Sequence, residues 1–344
     1  MVGLHRFARS LAVAAAATSL IVLGATPASA HATAGQAATD WRSRVTGIDP
    51  ASTALTARTT DLGQHLEITV RPGHRVVVLG YSAEPYVRVD ASGIWVNRRS
   101  PADYLNRAST LPGTLPSGFD ARATPKWQRI ADGWTYRWHD HRVHHMAGTT
   151  VAVGGNDWRI PVLVDDHAAM ITGRLDRVDG PNAAVVVFGV VVGVGIVVAA
   201  CSRLAVQRRR SAAAITFALL AAANVVQMVG VWQASTDPFG GRIGAALYAL
   251  AAAFACGLLT RTLLRADPER RAPLLLLCGV VVSICGGVAN AGWLFHSQLP
   301  TTMPGVIARA IVGVDLVTGL SAVVVGVRLV ARRPVDAESV LDGG

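Results

Sequence analysis

The sequence predicts an all-β extracytoplasmic domain followed by an all-α transmembrane domain of five helices. The mean hydropathy is +0.38, and 51% of the 344 residues are hydrophobic, which is typical of a membrane protein. The apolar residues are concentrated at the N-terminus and between about 183 and 331. The polar region between them contains short alternating stretches separated by turn residues, a pattern that favours strands.

Residues 1–30 have the three parts of a secretory signal peptide. Two arginines come first, an apolar run follows over about 11–24, and an A-x-A cleavage pattern occupies 28–30. The alternative is an uncleaved first transmembrane helix, although the apolar run is short for one. Cleavage after the pattern would make His31 the first residue of the mature chain.

Residues 31–182 are predicted to form an extracytoplasmic all-β sandwich. A domain of about 150 residues can bury its own core, and none of the four cysteines lies in this range. The proline-rich stretch 100–125 is expected to be irregular. Alternation predicts that Trp134, Tyr136 and Trp138 share the inner face of one strand. The predicted strands include Leu66–Val70, Arg75–Leu79, Tyr86–Val89, Trp134–Trp138 and Arg159–Val164.

Five apolar segments in the region 183–333 are each near the length of a membrane-spanning helix, roughly 20 residues. The loops after the first and third are rich in arginine, and the loops after the second and fourth are nearly uncharged. Because arginine-rich loops stay in the cytoplasm, we expect a multi-pass cell-membrane protein with its N-terminal domain outside and its short tail, 334–344, inside. The predicted helices cover about 183–201, 212–233, 243–264, 273–296 and 305–331.

The net charge of +10 indicates membrane orientation and not a nucleic-acid partner. The excess of arginine lies in short loops beside apolar segments, where it contacts the lipid bilayer. The sequence contains no HExxH, GxSxG, P-loop or CxxC motif. We therefore predict a protein that is not an enzyme.

The densest group of metal-binding side chains lies in residues 138–146, which hold four imidazoles and one thioether. On an extended strand, His139, His141 and His145 would share one face. Imidazole suits copper and zinc, and the thioether of Met146 favours copper, especially Cu(I). The alternative is chance clustering of histidines on a solvated strand.

Two further features favour Cu(II). A mature N-terminus at His31 would offer an amine and an imidazole to one ion. Asp165 and His167 form an Asp-x-His motif before the last predicted strand. His31, Asp165 and His167 match the pattern of exported copper-resistance proteins of the CopC type, which this sequence resembles. The resemblance implies an Ig-like β-sandwich on which these three residues form a Cu(II) site. Proteins of this family also occur fused to a CopD-type membrane domain, which resembles the arrangement predicted here.

Asp315 is the one acidic residue well inside an apolar segment. A carboxyl group there indicates either a function or a protonated side chain bonded to a neighbouring helix. We expect Asp315 to face other helices, with Arg309, about two turns away, as a candidate partner.

These features predict a membrane-anchored extracytoplasmic copper-binding protein for metal capture, buffering or delivery, with an envelope metalloprotein as a candidate partner. The main alternative is an envelope interaction or assembly protein whose β-sandwich binds a protein without metal. A copper oxidase that uses the terminal histidine is a third alternative.

Overall fold

The chain forms two compact units, one of β-strands and one of helices. The β unit covers Thr39–Asp179, and the helices follow Gly180. The predicted signal peptide, 1–30, lies outside the residues that the structure describes. The structure is a computed structural model, and it describes residues 37–107, 114–146, 156–189, 192, 206–236, 241–265 and 268–331.

The described part of the β unit contains ten strands in two antiparallel sheets. The strands β1 to β10 are, in chain order, Trp41–Asp49, Leu55–Thr60, His65–Val70, Val76–Leu79, Pro85–Asp90, Gly93–Asn97, Trp127–Ala131, Thr135–His139, Asn156–Val164 and His167–Arg177. The larger sheet has the order β1-β10-β9-β4-β5-β6-β7, and the smaller has the order β2-β3-β8. Every pair of neighbouring strands is antiparallel, so the predicted all-β domain is confirmed.

One hydrophobic core takes side chains from both sheets. It joins Leu66 and Ile68 of β3 to residues of the larger sheet such as Val78 and Val87, all four fully buried. The two sheets therefore pack together as in a β-sandwich. On β8 Trp138 is buried, and the two aromatic residues that precede it at alternate positions pack against the same core. The predicted inner face of this strand is confirmed.

The five strands predicted from alternation are present as β3, β4, β5, β8 and β9. Alternation did not identify β1 and β2, because each buries only one residue fully, Ser43 in β1 and Leu55 in β2. A strand with a single buried side chain has no apolar period to detect.

A short helix, α1 (Pro101–Leu105), lies in the stretch that was predicted to be irregular. Ser100 caps it by accepting a hydrogen bond from the Ala102 amide, at 3.1 Å, and proline occupies the first position, which helices favour. The Ser100 hydroxyl also donates to the buried Glu84 carboxylate at 2.7 Å. These contacts fix the helix whose last carbonyls reach the candidate site.

Four of the five predicted spans are confirmed as helices long and apolar enough to cross a membrane. The fifth, 183–201, is helical over 183–189, and most of its remainder lies outside the described residues. The four helices are α2 (Val206–Ala234), α3 (Gly241–Arg265), α4 (Pro268–Val281) and α5 (Gly305–Ala331).

Helix α4 continues as a π-helix over Val282–Gly287 and then as a 3₁₀-helix over Val288–Leu294. Glycines bring this irregular segment close to α5. A Cβ atom added at Gly286 would collide with the Asp315 carboxylate. Small residues at such contacts are typical of helix packing in membranes.

Asp315 is fully buried between helices, as predicted. Its Oδ1 accepts a hydrogen bond from Asn224 Nδ2 at 3.1 Å. The expected pairing with Arg309 is wrong. That guanidinium donates to the carbonyls of Trp293 and His296, at 3.0 and 2.7 Å, because carbonyls at the end of a helical segment lack partners within it.

Candidate metal centre

Three histidines meet where β8 ends. The strand stops at His139, and a turn follows in which the Val143 amide donates to the Asp140 carbonyl at 3.2 Å. The chain is therefore not extended as far as His145, which was the condition for His139, His141 and His145 to share one face. The turn instead folds His144 back beside His139, with 4.7 Å between their ring centroids.

A buried ion pair holds this turn. The Asp140 carboxylate, which is fully buried, accepts hydrogen bonds from Trp138 Nε1 and Arg142 Nη2, both at 2.8 Å. Arg142 also donates to the Leu79 carbonyl at 3.2 Å. Burial acts to raise the pKa of Asp140, but the hydrogen bonds and charge of Arg142 outweigh it and hold the pKa below its ordinary value. Asp140 thus shapes the loop.

The end of α1 orients two of the imidazole rings. His139 Nδ1 lies 3.2 Å from the Asn106 carbonyl oxygen, and His141 Nε2 lies 3.0 Å from that of Leu105. A carbonyl oxygen only accepts hydrogen bonds, so each facing nitrogen carries the proton. In the neutral rings, the lone pairs are then on His139 Nε2 and His141 Nδ1.

The third ring, His144, is also oriented by a hydrogen bond to a main-chain carbonyl. His144 Nδ1 donates to the carbonyl of His145 at 3.1 Å. Its Nε2 is buried and has no hydrogen-bond partner among the described residues. Histidines that bind metals commonly donate their second nitrogen to a carbonyl in this way, which fixes the tautomer and the ring.

The contact between His141 and Met146 joins two acceptors. His141 Nδ1 lies 3.1 Å from Met146 Sδ, and a thioether has no proton to donate. Since the other nitrogen of His141 donates to a carbonyl, the contact is satisfied either by a second proton on the ring or by a cation bound to both atoms. The ligand atoms of one tetrahedral ion lie about 3.5 Å apart, which is near the observed distance.

The three histidines form a group of metal-binding size. One ring nitrogen from each of His139, His141 and His144 lies within 4.8 Å of the others. An ion held at about 2 Å by each nitrogen needs them roughly 3.3 Å apart, so small side-chain rotations would close the site. Met146 Sδ, which lies 3.1 Å from His141 Nδ1, places one sulfur beside this group.

Burial favours the neutral form of two of these rings, His139 and His144. Burial, followed by the nearby His144 and His141, lowers the pKa of His139 to about 4. Burial also lowers the pKa of His144. Metal ions bind neutral imidazole, so at neutral pH these rings would not have to lose a proton first.

His145 does not join the other three rings. It stacks on Trp41, with ring centroids 4.3 Å apart. His144 lies beside His139 and His141 in place of His145. A fourth imidazole that the sequence did not reveal, His65, lies beside His139 at 5.7 Å between centroids. Strand pairing places it there, opposite His139 in the register, and its Nδ1 lies 3.2 Å from Asp61 Oδ2.

The Asp-x-His motif lies at a different hairpin. Asp165 begins the two-residue turn between β9 and β10, with φ of 48°, and its carboxylate accepts hydrogen bonds from His74 Nδ1 at 2.7 Å and the Arg75 amide at 2.8 Å. His167 Nδ1 donates to the Asp165 carbonyl at 2.8 Å. The sequence did not identify His74 as a neighbour. His31 lies outside the described residues.

No family model matches this chain, and neither the curated proteins nor the solved structures provide a match.

Proposed function

We propose that the β domain is an extracytoplasmic copper-binding module that captures, buffers or delivers the metal and is anchored by the helical unit. The observation that carries the proposal is the contact between His141 Nδ1 and Met146 Sδ. Two acceptors face each other there, beside two further imidazoles whose second nitrogens already donate to carbonyls. A bound cation would use every one of these lone pairs.

The donor types favour copper, and Cu(I) in particular. Zinc sites use thiolate, imidazole and carboxylate, whereas thioether sulfur is a soft ligand that selects Cu(I). The carboxylate nearest in sequence, Asp140, is fully engaged with Arg142 and Trp138. The site would therefore bind through three neutral nitrogens and Met146.

A second site, for Cu(II), remains part of the proposal. The resemblance to the CopC type supports it, with His31, Asp165 and His167 as ligands on an Ig-like sandwich. The two sites would hold copper in different oxidation states, Cu(II) at the hairpin and Cu(I) at the three histidines, and transfer from the first to the second would require one electron from an external reductant. The proposal also keeps the fifth span over 183–201 and the N-out, C-in orientation, both supported by apolar length and arginine bias.

Copper titration of the isolated β domain tests this function. The domain has its own core, so residues 37–182, which lack His31, can be titrated with Cu(I) against a chromophoric chelator under anaerobic conditions. We expect about one ion to bind, and roughly 100-fold weaker binding when His139, His141 and His144 are all replaced by alanine. His145→Ala is the matched control, because its ring lies on Trp41, and it should retain wild-type affinity.

The result that would contradict the proposal is a folded domain that takes up no more copper than the triple variant. Comparing Cu(II) binding by residues 37–182 with Cu(II) binding by residues 31–182, which include His31, then tests the Cu(II) site separately. If only the longer form binds, and binding is lost in His167→Ala, copper is held at the hairpin and not at the three histidines.

A specific surface supports the alternative of a protein-binding module. Arg88 lies between the rings of Trp95 and Trp127, at 4.9 and 5.0 Å from their centroids, and Ile130 is 37% exposed on β7. In the described residues β7 is an edge of the larger sheet. Arginine and tryptophan are enriched at binding hot spots, so failure of the copper titration would leave this edge as the functional surface.

A further inference from the structure

The helical unit contains a buried polar group in which three side-chain oxygens lack a hydrogen-bond donor among the described residues. Asn224, Gln227 and Asp315 are each at most 1% exposed. Within the described residues, Asn224 Oδ1, Gln227 Oε1 and Asp315 Oδ2 have no hydrogen-bond partner. Asn224 and Gln227 are one turn apart on α2, and the hydrogen bond from Asn224 joins that face to Asp315 on α5. In hydrocarbon, water does not satisfy such groups.

No positive side chain neutralises this group among the described residues. Asp315 forms no ion pair there, and Arg309, six residues away on the same helix, donates both of its hydrogen bonds to main-chain carbonyls. Six residues of helix correspond to about 9 Å along the axis. A carboxylate in this position needs a positive charge that the described residues do not supply, or a proton.

The irregular part of α4 lies against the same carboxylate. The π-helical segment places Gly286 directly on Asp315. The buried Ser283 hydroxyl, which has no hydrogen-bond partner in the described part of the chain, faces Gly319 one turn further along α5. π-helical turns are frequent at functional sites. In membrane transporters, interrupted helices supply backbone oxygens to bound Na⁺ or H⁺.

We propose that Asp315, Asn224 and Gln227, together with the π-helical segment of α4, form a binding site for a small monovalent cation with oxygen ligands, for which Na⁺ is the probe. A proton on Asp315 Oδ2 would satisfy that oxygen and, through its own hydrogen bond, one amide oxygen, whereas a bound cation can be ligated by all three oxygens. The set contains hard oxygen donors, so it differs in kind from the imidazole and thioether site in the β domain.

Thermal unfolding of the full chain in detergent tests the site. The melting temperature is measured in sodium chloride and in choline chloride of equal concentration, at fixed pH. We expect Na⁺ to raise it by roughly 2–4 °C. Asp315→Asn and Asn224→Leu should abolish the rise. Thr318→Val is the matched control, because the Thr318 hydroxyl bonds only to its own helix, at the Val314 carbonyl, and it should retain the rise.

Equal melting temperatures in the two salts would overturn the proposal. A response to pH that is lost in Asp315→Asn, without any response to Na⁺, would also overturn it and make Asp315 a protonated structural carboxyl. If Asp315→Asn does not fold, radiolabelled Na⁺ binding to Gln227→Leu decides, with loss of binding expected. Copper titration of the β domain is independent of these variants, so the two proposals fail separately.

Discussion

The loop that carries the three histidines depends on single residues, and Asp140 is the most important of them. Its carboxylate has no exposed surface and holds Arg142, whose side chain is 17% exposed. Removing one member of such a pair leaves the other charge buried and uncompensated. The positions of His141 and His144, on either side of Arg142, follow from this ion pair.

Asp140→Asn is therefore expected to destabilise the β domain by about 3 kcal/mol and to weaken copper binding as the loop loosens. Urea unfolding of residues 37–182 measures the first effect. Asp166→Asn is the control, because the ion pair of Asp166 with Arg75 is largely solvent-exposed and such pairs contribute little. Equal stability of the two variants would show that the buried pair does not hold the loop.

The metal-free domain should lose stability between about pH 6.5 and pH 4. His139 has a pKa of about 4 in the folded domain and 6.5 as a free side chain, so within this window the unfolded chain binds more protons. The free energy of unfolding then rises with pH. His139→Gln should flatten this part of the profile, whereas His167→Gln, at an exposed position, should not. A wild-type profile that is flat across the window would contradict the burial of His139.

The existence of a histidine cluster was predictable from the sequence, but its geometry was only partly so. The density of imidazoles in residues 138–146 indicated a group that could hold a metal, and copper stays a prediction. Which rings converge depends on Asp140, whose ion pair turns the chain and replaces His145 by His144. The nearness of His65 depends on strand register, which no local pattern reveals.

At the scale of elements, the helices were predicted more completely than the strands. Apolar length identified α2 to α5 because each needs to fill the thickness of a bilayer. Strands β3 and β9 were found because burial alternates along them, and β4 because its short run is apolar throughout. Strands β6 and β7 were missed because neither alternates: β6 buries four of its five residues and β7 exposes four of its five. The helix α1 was missed because it has only five residues and its Ser100 cap is held by Glu84, sixteen residues earlier in the chain.

The close approach of α4 to α5 gives a prediction at this scale. Gly286→Ala should lower the melting temperature of the full chain, by an amount equivalent to about 1–3 kcal/mol, because the new methyl group would collide with the Asp315 carboxylate. Gly257→Ala in α3 is the matched control, since nothing lies within 4 Å of its Cβ position. Equal melting temperatures for both variants would contradict the packing of these helices.

For the whole molecule, we propose separate roles for the two units. The β domain would bind copper outside the membrane, and the helical unit would anchor it and hold a cation. Both roles depend on the orientation of the chain in the membrane. If the β domain lies outside, the arginine-rich loops lie in the cytoplasm, as their charge predicts.

Reporter fusions test that orientation. Fusions at Arg209 and Arg270 should be active as cytoplasmic reporters, and a fusion at Gly240 should be active outside. We expect this because loops rich in arginine stay on the cytoplasmic side of the membrane. A cytoplasmic signal at Gly240 would place the loop between α2 and α3 inside and contradict the orientation.

X-ray absorption spectroscopy of residues 37–182 loaded with one equivalent of Cu(I) tests the central claim most directly, because it reports the ligands themselves. We predict that the copper spectrum shows imidazole scattering together with one sulfur ligand. Met146→Leu should remove the sulfur contribution, and His144→Ala, unlike His145→Ala, should reduce the imidazole contribution. A spectrum without sulfur that none of these substitutions changes would show that copper is not held by His139, His141, His144 and Met146.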